Sequence, residues 1–271
     1  MVLEQIFKPT WIEKKPHHAL ILGMFYSFLG IVSAWIIFPE DVGIASIAFI
    51  SILVLPSLNA LLSIEENKEI RQKKISLVQL IKDHWDIIYV YIFLFLGIFI
   101  TYTLLSLRMN TAISINLLAP QLSHSAVVGG SVSSGYYFFS ILMNNLKVFT
   151  VMLILSLAYG AGAILFLTWN ASVWGSALGF AIRKKIMILG MGVVESFAGL
   201  FAKFFPHMIV EAMAYFFVIV AGGTISKAVI REKIGTKKFH HVFSDALIFF
   251  AIGIILLVLG ALIEVYLYPV L

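Results

Sequence analysis

Five stretches of this chain stay apolar for about twenty residues at a time: 19–38, 43–64, 87–107, 147–168 and 245–266. At a rise of 1.5 Å per residue, roughly 20 residues cross the ~30 Å hydrocarbon layer of a bilayer. Lipid offers no hydrogen bonds, so each crossing segment must satisfy its own backbone, and a continuous apolar run of this length does so as a helix. A sixth run, 207–226, is long enough but carries His207 and Glu211. A seventh, 186–204, is interrupted by Glu195, Lys203 and several glycines and alanines. The expected fold is therefore all-α: a polytopic membrane helix bundle of six to seven spans. The alternative for residues 170–204 is a broken or re-entrant segment in place of a true crossing.

Composition agrees. Of 271 residues, 61% are hydrophobic and 12% charged, about half the charge of a soluble domain. The absence of cysteine excludes disulfides, thiolate metal sites and cysteine nucleophiles. The net charge of +5 follows from where the bases sit and gives no reason to expect nucleic acid. Residues 1–16 mix Lys8, Lys14 and Lys15 with Glu4, Glu13 and Trp11 and show no small-residue cleavage site, so the first apolar run is expected to be retained as a span.

Sixteen of the nineteen Lys and Arg fall at Lys8–Lys15, Lys68–Lys82, Arg183–Lys185 and Lys227–Lys238. Placing these four groups in the cytoplasm, as basic loops require, puts the N-terminus inside and the C-terminus outside a cytoplasmic membrane, with Arg108, Lys147 and Lys203 external. Residues 1–82 then form a two-span hairpin with a charged connector, and 83–271 a membrane core with an external loop at 108–143. The connector Glu65–Asp86 reads either as an amphipathic interfacial helix or as a solvated link. The loop after Arg108, rich in Ser, Gly and Asn, reads as a binding loop or a mobile one. Gly175-Ser176-Ala177-Leu178-Gly179 carries the small-xxx-small spacing that lets membrane helices approach closely, which serves tight bundle packing or dimerisation.

The polar residues inside the spans are the candidate site. His207 and Glu211, four apart, share one helical face, about 40° apart around the axis. An ionisable group in a bilayer costs roughly 2.5–3.5 kcal/mol on insertion scales, so each needs a partner or a function. With Pro206 opening its span from the outside, His207 is expected at the outer interface. Glu264 lies at similar depth near the end of the last span, and Asn144 and Asn145 open the span that begins at Lys147. Three roles fit this cluster: a structural hydrogen-bond network, a proton or cation site, or a metal site using His207, Glu211 and Glu264. Glu195, midway along the weakest span, and Asn170, expected to cap at the inner interface, are additional candidates. His17-His18 and His240-His241 read as interfacial.

No GxSxG, HExxH or P-loop occurs, and no serine stands in a recognisable frame with histidine and acid. The chain reads as a non-enzyme without a cofactor, an intramembrane hydrolase being the remaining catalytic class.

Five segments occur in order: Asn144-Asn145-Leu146-Lys147-Val148; the glycine-bearing span ending Trp169-Asn170 with Gly175 beyond; Pro206-His207-Met208-Ile209-Val210-Glu211; Ala221-Gly222-Gly223; and Ala261-Leu262-Ile263-Glu264 through Pro269. Together they resemble the stage II sporulation protein M family over about residues 87–271. Members carry an Asn-Asn-Leu-Arg-Val-like segment, a Pro-His-Gly-x-x-Glu motif and a terminal Ile-Glu. This chain departs at Met208, where the family has glycine, and at Lys147 for arginine. The resemblance implies an integral membrane scaffold or assembly subunit. Its partners would be the bilayer and other membrane or envelope proteins, a second copy of the chain included. The namesake acts in spore engulfment by recruiting peptidoglycan-remodelling partners, a role that does not transfer with the membrane core. The alternative is a transporter using His207, Glu211 and Glu264 as a proton or cation site.

Overall fold

The computed structural model describes residues 12, 15–69, 77–109, 134–231 and 235–267. The expected external loop falls mostly on 110–133, and the middle of the charged connector on 70–76; both lie outside the described residues, as does most of the N-terminal segment.

Seven long helices follow one another: α1 (His18–Ile37), α2 (Val42–Glu69), α3 (Leu77–Arg108), α4 (Ser134–Tyr159), α5 (Ile164–Leu189), α6 (Val193–Arg231) and α7 (Lys237–Leu262). A 3-10 turn, Ala161–Ala163, leads into α5, and a π-turn, Ile263–Leu267, extends α7. All seven helices are long and apolar enough to cross a membrane, and no strand occurs among the described residues.

The packing has two parts. In one, α3 lies between α1 and α5, with α2 against α1 and α5; in the other, α6 lies between α7 and α4, and it also meets α5 and α3. Glycine sets the spacing, as it must where helices associate without a hydrophobic gain over lipid. A Cβ on Gly97 of α3 would lie 2.3 Å from the Leu20 carbonyl oxygen and 3.0 Å from Gly23 Cα in α1. Gly175 and Gly179 of α5 meet α3 in the same way, 2.5 Å from Phe99 O and 2.3 Å from Thr103 O. The small-xxx-small pair is therefore spent on packing inside the bundle. A hydroxyl contact of 2.7 Å between Ser46 of α2 and Tyr102 of α3 ties the hairpin to the same region.

The number of crossings agrees with the sequence, but two of their boundaries do not. The run expected at 147–168 is cut at Gly160, and α4 reaches back to Ser134. The run expected at 186–204 is cut at Gly190: residues 170–189 belong to α5 and 193–204 to α6, which continues unbroken through Pro206. Residues 170–204 thus form neither one crossing nor a re-entrant pair. They are two long helices meeting at a hairpin. The cause is backbone geometry. Gly160 and Gly190 adopt φ of +60° and +63°, the left-handed conformation that closes a helix at low cost only for glycine. Their N–H groups bond back to Ser156 O at 2.9 Å and Ile186 O at 3.2 Å. Pro206 lacks an N–H for the Ala202 carbonyl, but membrane helices tolerate such an interior proline, and the ladder resumes around it.

At 39 residues, α6 is about 58 Å long, nearly twice the hydrocarbon thickness. Its burial divides accordingly. Val193, Val194, Glu195, Phe197, Gly199 and Lys203 are exposed, whereas Ala214 through Thr224 are buried without interruption.

Gly97→Ala should lower stability by about 1–3 kcal/mol, because the new methyl meets backbone that cannot move alone. Gly223→Ala, with open space around its Cβ, should be neutral or slightly stabilising. Thermal unfolding in detergent would compare them; equal midpoints would refute the close α1–α3 contact.

Candidate functional site

The interior polar pair is Asn145 and Glu211. Both are buried, at 8% and 4% exposure, and Asn145 Nδ2 donates to Glu211 Oε1 at 2.5 Å, joining α4 to α6. The third helix completes the site through an absence of side chain. A Cβ on Gly260 of α7 would lie 2.9 Å from Glu211 Cγ, so only glycine lets α7 close over the carboxyl stem. One turn further along α7, Glu264 lies in the π-turn and interacts electrostatically with Glu211. Tyr215, one turn from Glu211 on α6 and fully buried, is an electrostatic neighbour of both carboxyls, and Tyr137 of α4 is a neighbour of Glu264.

The remaining candidates fall elsewhere. Asn144, a 100° step around the helix from Asn145, is exposed and makes no side-chain hydrogen bond among the described residues. His207 is buried, its ring set edge-on to Phe204 with the centroids 6.1 Å apart, and its Nδ1 has no partner among the described residues. It forms neither a hydrogen bond nor an ion pair with Glu211, so their shared helical face does not become a direct contact. Glu195 is not in mid-span: it is exposed in the first turn of α6, where a carboxylate complements the helix dipole. Asn170 is not an interfacial cap. It lies inside α5, where its amide donates to the Phe166 carbonyl of its own helix at 2.8 Å.

The depth of the site also changes. An outer-interface position assumed spans opening at Lys147 and Pro206. With spans of Gly135–Tyr159 and Val193–Ser226, Asn145 and Glu211 stand near the middle of their helices, and only Glu264 remains near a helix end. Among the described residues, no three His, Asp or Glu side chains gather as a metal-binding group. A cavity of about 210 Å³ lies between α3, α5 and α6, and its lining, which includes Phe95, Trp174 and Met208 but none of the site residues, is entirely apolar.

Two participants escaped the sequence reading, Tyr215 and Gly260. Each stands four residues from a carboxylate already singled out, Glu211 and Glu264 respectively. The i, i+4 step was the available signal.

The hydrogen bond discriminates between substitutions at Glu211. Gln keeps an acceptor for Asn145 and should unfold within about 1 kcal/mol of the parent. Leu strands the buried Asn145 amide and should lose about 1–3 kcal/mol. Chemical unfolding in detergent measures both; a Leu variant as stable as the parent would mean the bond holds nothing together.

The family model for Stage II sporulation protein M matches residues 28–269. The match begins within α1 and so takes in the second half of α1 and all of α2, beyond the resemblance over about residues 87–271. No curated protein and no solved structure matches the chain. The match spans nearly the whole bundle, with Asn145, His207, Glu211 and Glu264 inside it, and the chain belongs to the Stage II sporulation protein M family.

Proposed function

We propose that this protein is an integral scaffold or assembly subunit of the cytoplasmic membrane. The observation that carries the reading is the use made of the interior polar groups. Asn145 and Glu211 bond to each other across two helices, with Gly260 closing the third over them. A buried polar pair of this kind fixes helix positions, and the cavity between α3, α5 and α6 has no polar lining. A bundle whose interior carboxyl is tied to a neighbouring helix suits a platform better than a conduit.

Charge supports an orientation. Because α4, α5 and α6 alternate in direction, Arg183–Lys185 falls at the opposite end of the bundle from the segment before α1, the α2–α3 link and the α6–α7 link. Those three places still hold thirteen of the nineteen basic residues, which favours a cytoplasmic N-terminus and an external C-terminus.

A transport role is the second reading, and the observation in its favour is His207. A buried imidazole nitrogen without a partner, one turn from a carboxyl, is a place where a proton or cation could bind. Affinity isolation of the cross-linked chain from its own membranes should recover a reproducible set of membrane or envelope proteins. A preparation that never yields one would overturn the scaffold reading. In proteoliposomes the scaffold should pass neither protons nor cations at any pH. Flux that Glu211→Gln abolishes would establish the transporter in its place.

A further inference from the structure

The outward face of α4 differs from that of every other span. Only 17% of its apolar window is covered by the rest of the chain, against 33–72% for the others. Ser140, Asn144 and Lys147 are exposed along it. At steps of four and three residues they form one stripe within about 60° of arc. Lys147 is the middle residue of the 25-residue span Gly135–Tyr159, about 18 Å from either end. That distance exceeds the reach of a lysine side chain, which snorkels to an interface only from near a helix end. No carboxylate pairs with it among the described residues. The outward positions of α7, by contrast, are apolar through the same depth: Leu247, Ile255 and Leu259.

We propose that this stripe is the docking face for a transmembrane helix of a different protein, one that carries an Asp or Glu near the bilayer midplane opposite Lys147. Charge complementarity selects the occupant. A cation in hydrocarbon is stabilised by a carboxylate and by the hydrogen-bonding groups beside it, and Asn144 and Ser140 supply such groups one and two turns away. A second copy of this chain does not meet the requirement. A two-fold axis along the membrane normal makes the interface self-matching and would bring Lys147 against its own equivalent. The chain's carboxyl at this depth, Glu211, is already buried against Asn145. The inference rests on the scaffold reading and names the surface through which assembly would occur.

The test places a photo-crosslinking residue at position 144, with position 255 on α7 as control, in the full chain in its native membranes. The expected result is capture at 144, and not at 255, of a transmembrane peptide with Asp or Glu within one turn of the link. Lys147→Leu should lower recovery of that partner by at least about tenfold, Lys147→Arg should retain it, and exchanging the two charges between the proteins should restore it. Lys147→Leu relieves an exposed intramembrane charge, so it should fold at least as well as the parent, which detergent unfolding would verify. Cross-links to a second copy, to another segment of the same chain or to lipid alone would overturn the proposal, as would indifference to Lys147→Leu. Partners recovered by affinity isolation while position 144 meets only lipid would overturn this docking face and leave the scaffold reading standing. Failure to isolate any partner would remove the scaffold reading itself.

Discussion

The hydrogen bond from Asn145 to Glu211 sets the terms for the rest of the bundle. A carboxyl near the middle of α6 can be carried into the interior only if a donor meets it and lipid does not. Asn145 supplies the donor from α4. Gly260 lets α7 close from the other side, and Gly222 brings α6 onto the Ser156 turn of α4, where a Cβ would lie 2.5 Å from the serine's own. The three helices are thereby fixed in rotation as well as in separation. A rotation of α6 by one residue would turn Glu211 about 100° away from its donor. The continuous burial of Ala214 through Thr224 is the outcome of that fixed rotation.

In the other part of the molecule the closest approaches are made at glycine backbone. Gly23 and Gly97 join α1 to α3, and Gly175 and Gly179 join α5 to α3, with aromatic rings filling the space towards α6: Phe95 meets Trp174 at 5.4 Å and Phe216 at 5.9 Å. Where the C-terminal ends of α3 and α5 meet, Arg183 donates to the Ser106 carbonyl at 3.2 Å, spending a charge on a helix end. This is why Arg183–Lys185 misled the charge count. In the sequence it looks like a loop, and in the fold it is the last turns of a helix.

The all-helical fold and seven spans were legible in hydropathy because the bilayer imposes both length and backbone closure. The helix ends were not. Lys203 and Pro206 look like boundaries and are interior to α6, while Gly160 and Gly190 look like ordinary small residues and are the boundaries. The difference lies in φ, and nothing in the identity of a glycine states it. The site was legible in part for a related reason. Hydropathy marks Asn144 and Asn145 alike, but facing depends on which neighbour each meets. Only the tertiary contact tells the buried donor from its exposed neighbour. Glu195 and Asn170 were singled out by polarity alone, and both are satisfied locally, one by a helix start and the other by the carbonyl four residues back.

Helix α4 therefore carries two kinds of polarity on two faces. Asn145 turns inward and is consumed by the fold; Ser140, Asn144 and Lys147 turn outward and are not. If polarity within a span served stability alone, the outward set would be a pure cost, since Leu at those positions would partition better into lipid. A bundle already fixed by glycine contacts and buried hydrogen bonds between helices gains nothing in rigidity from them. The free energy they forgo must be recovered outside the chain, and α4, the least covered of the seven helices, is where the fold leaves room for that recovery.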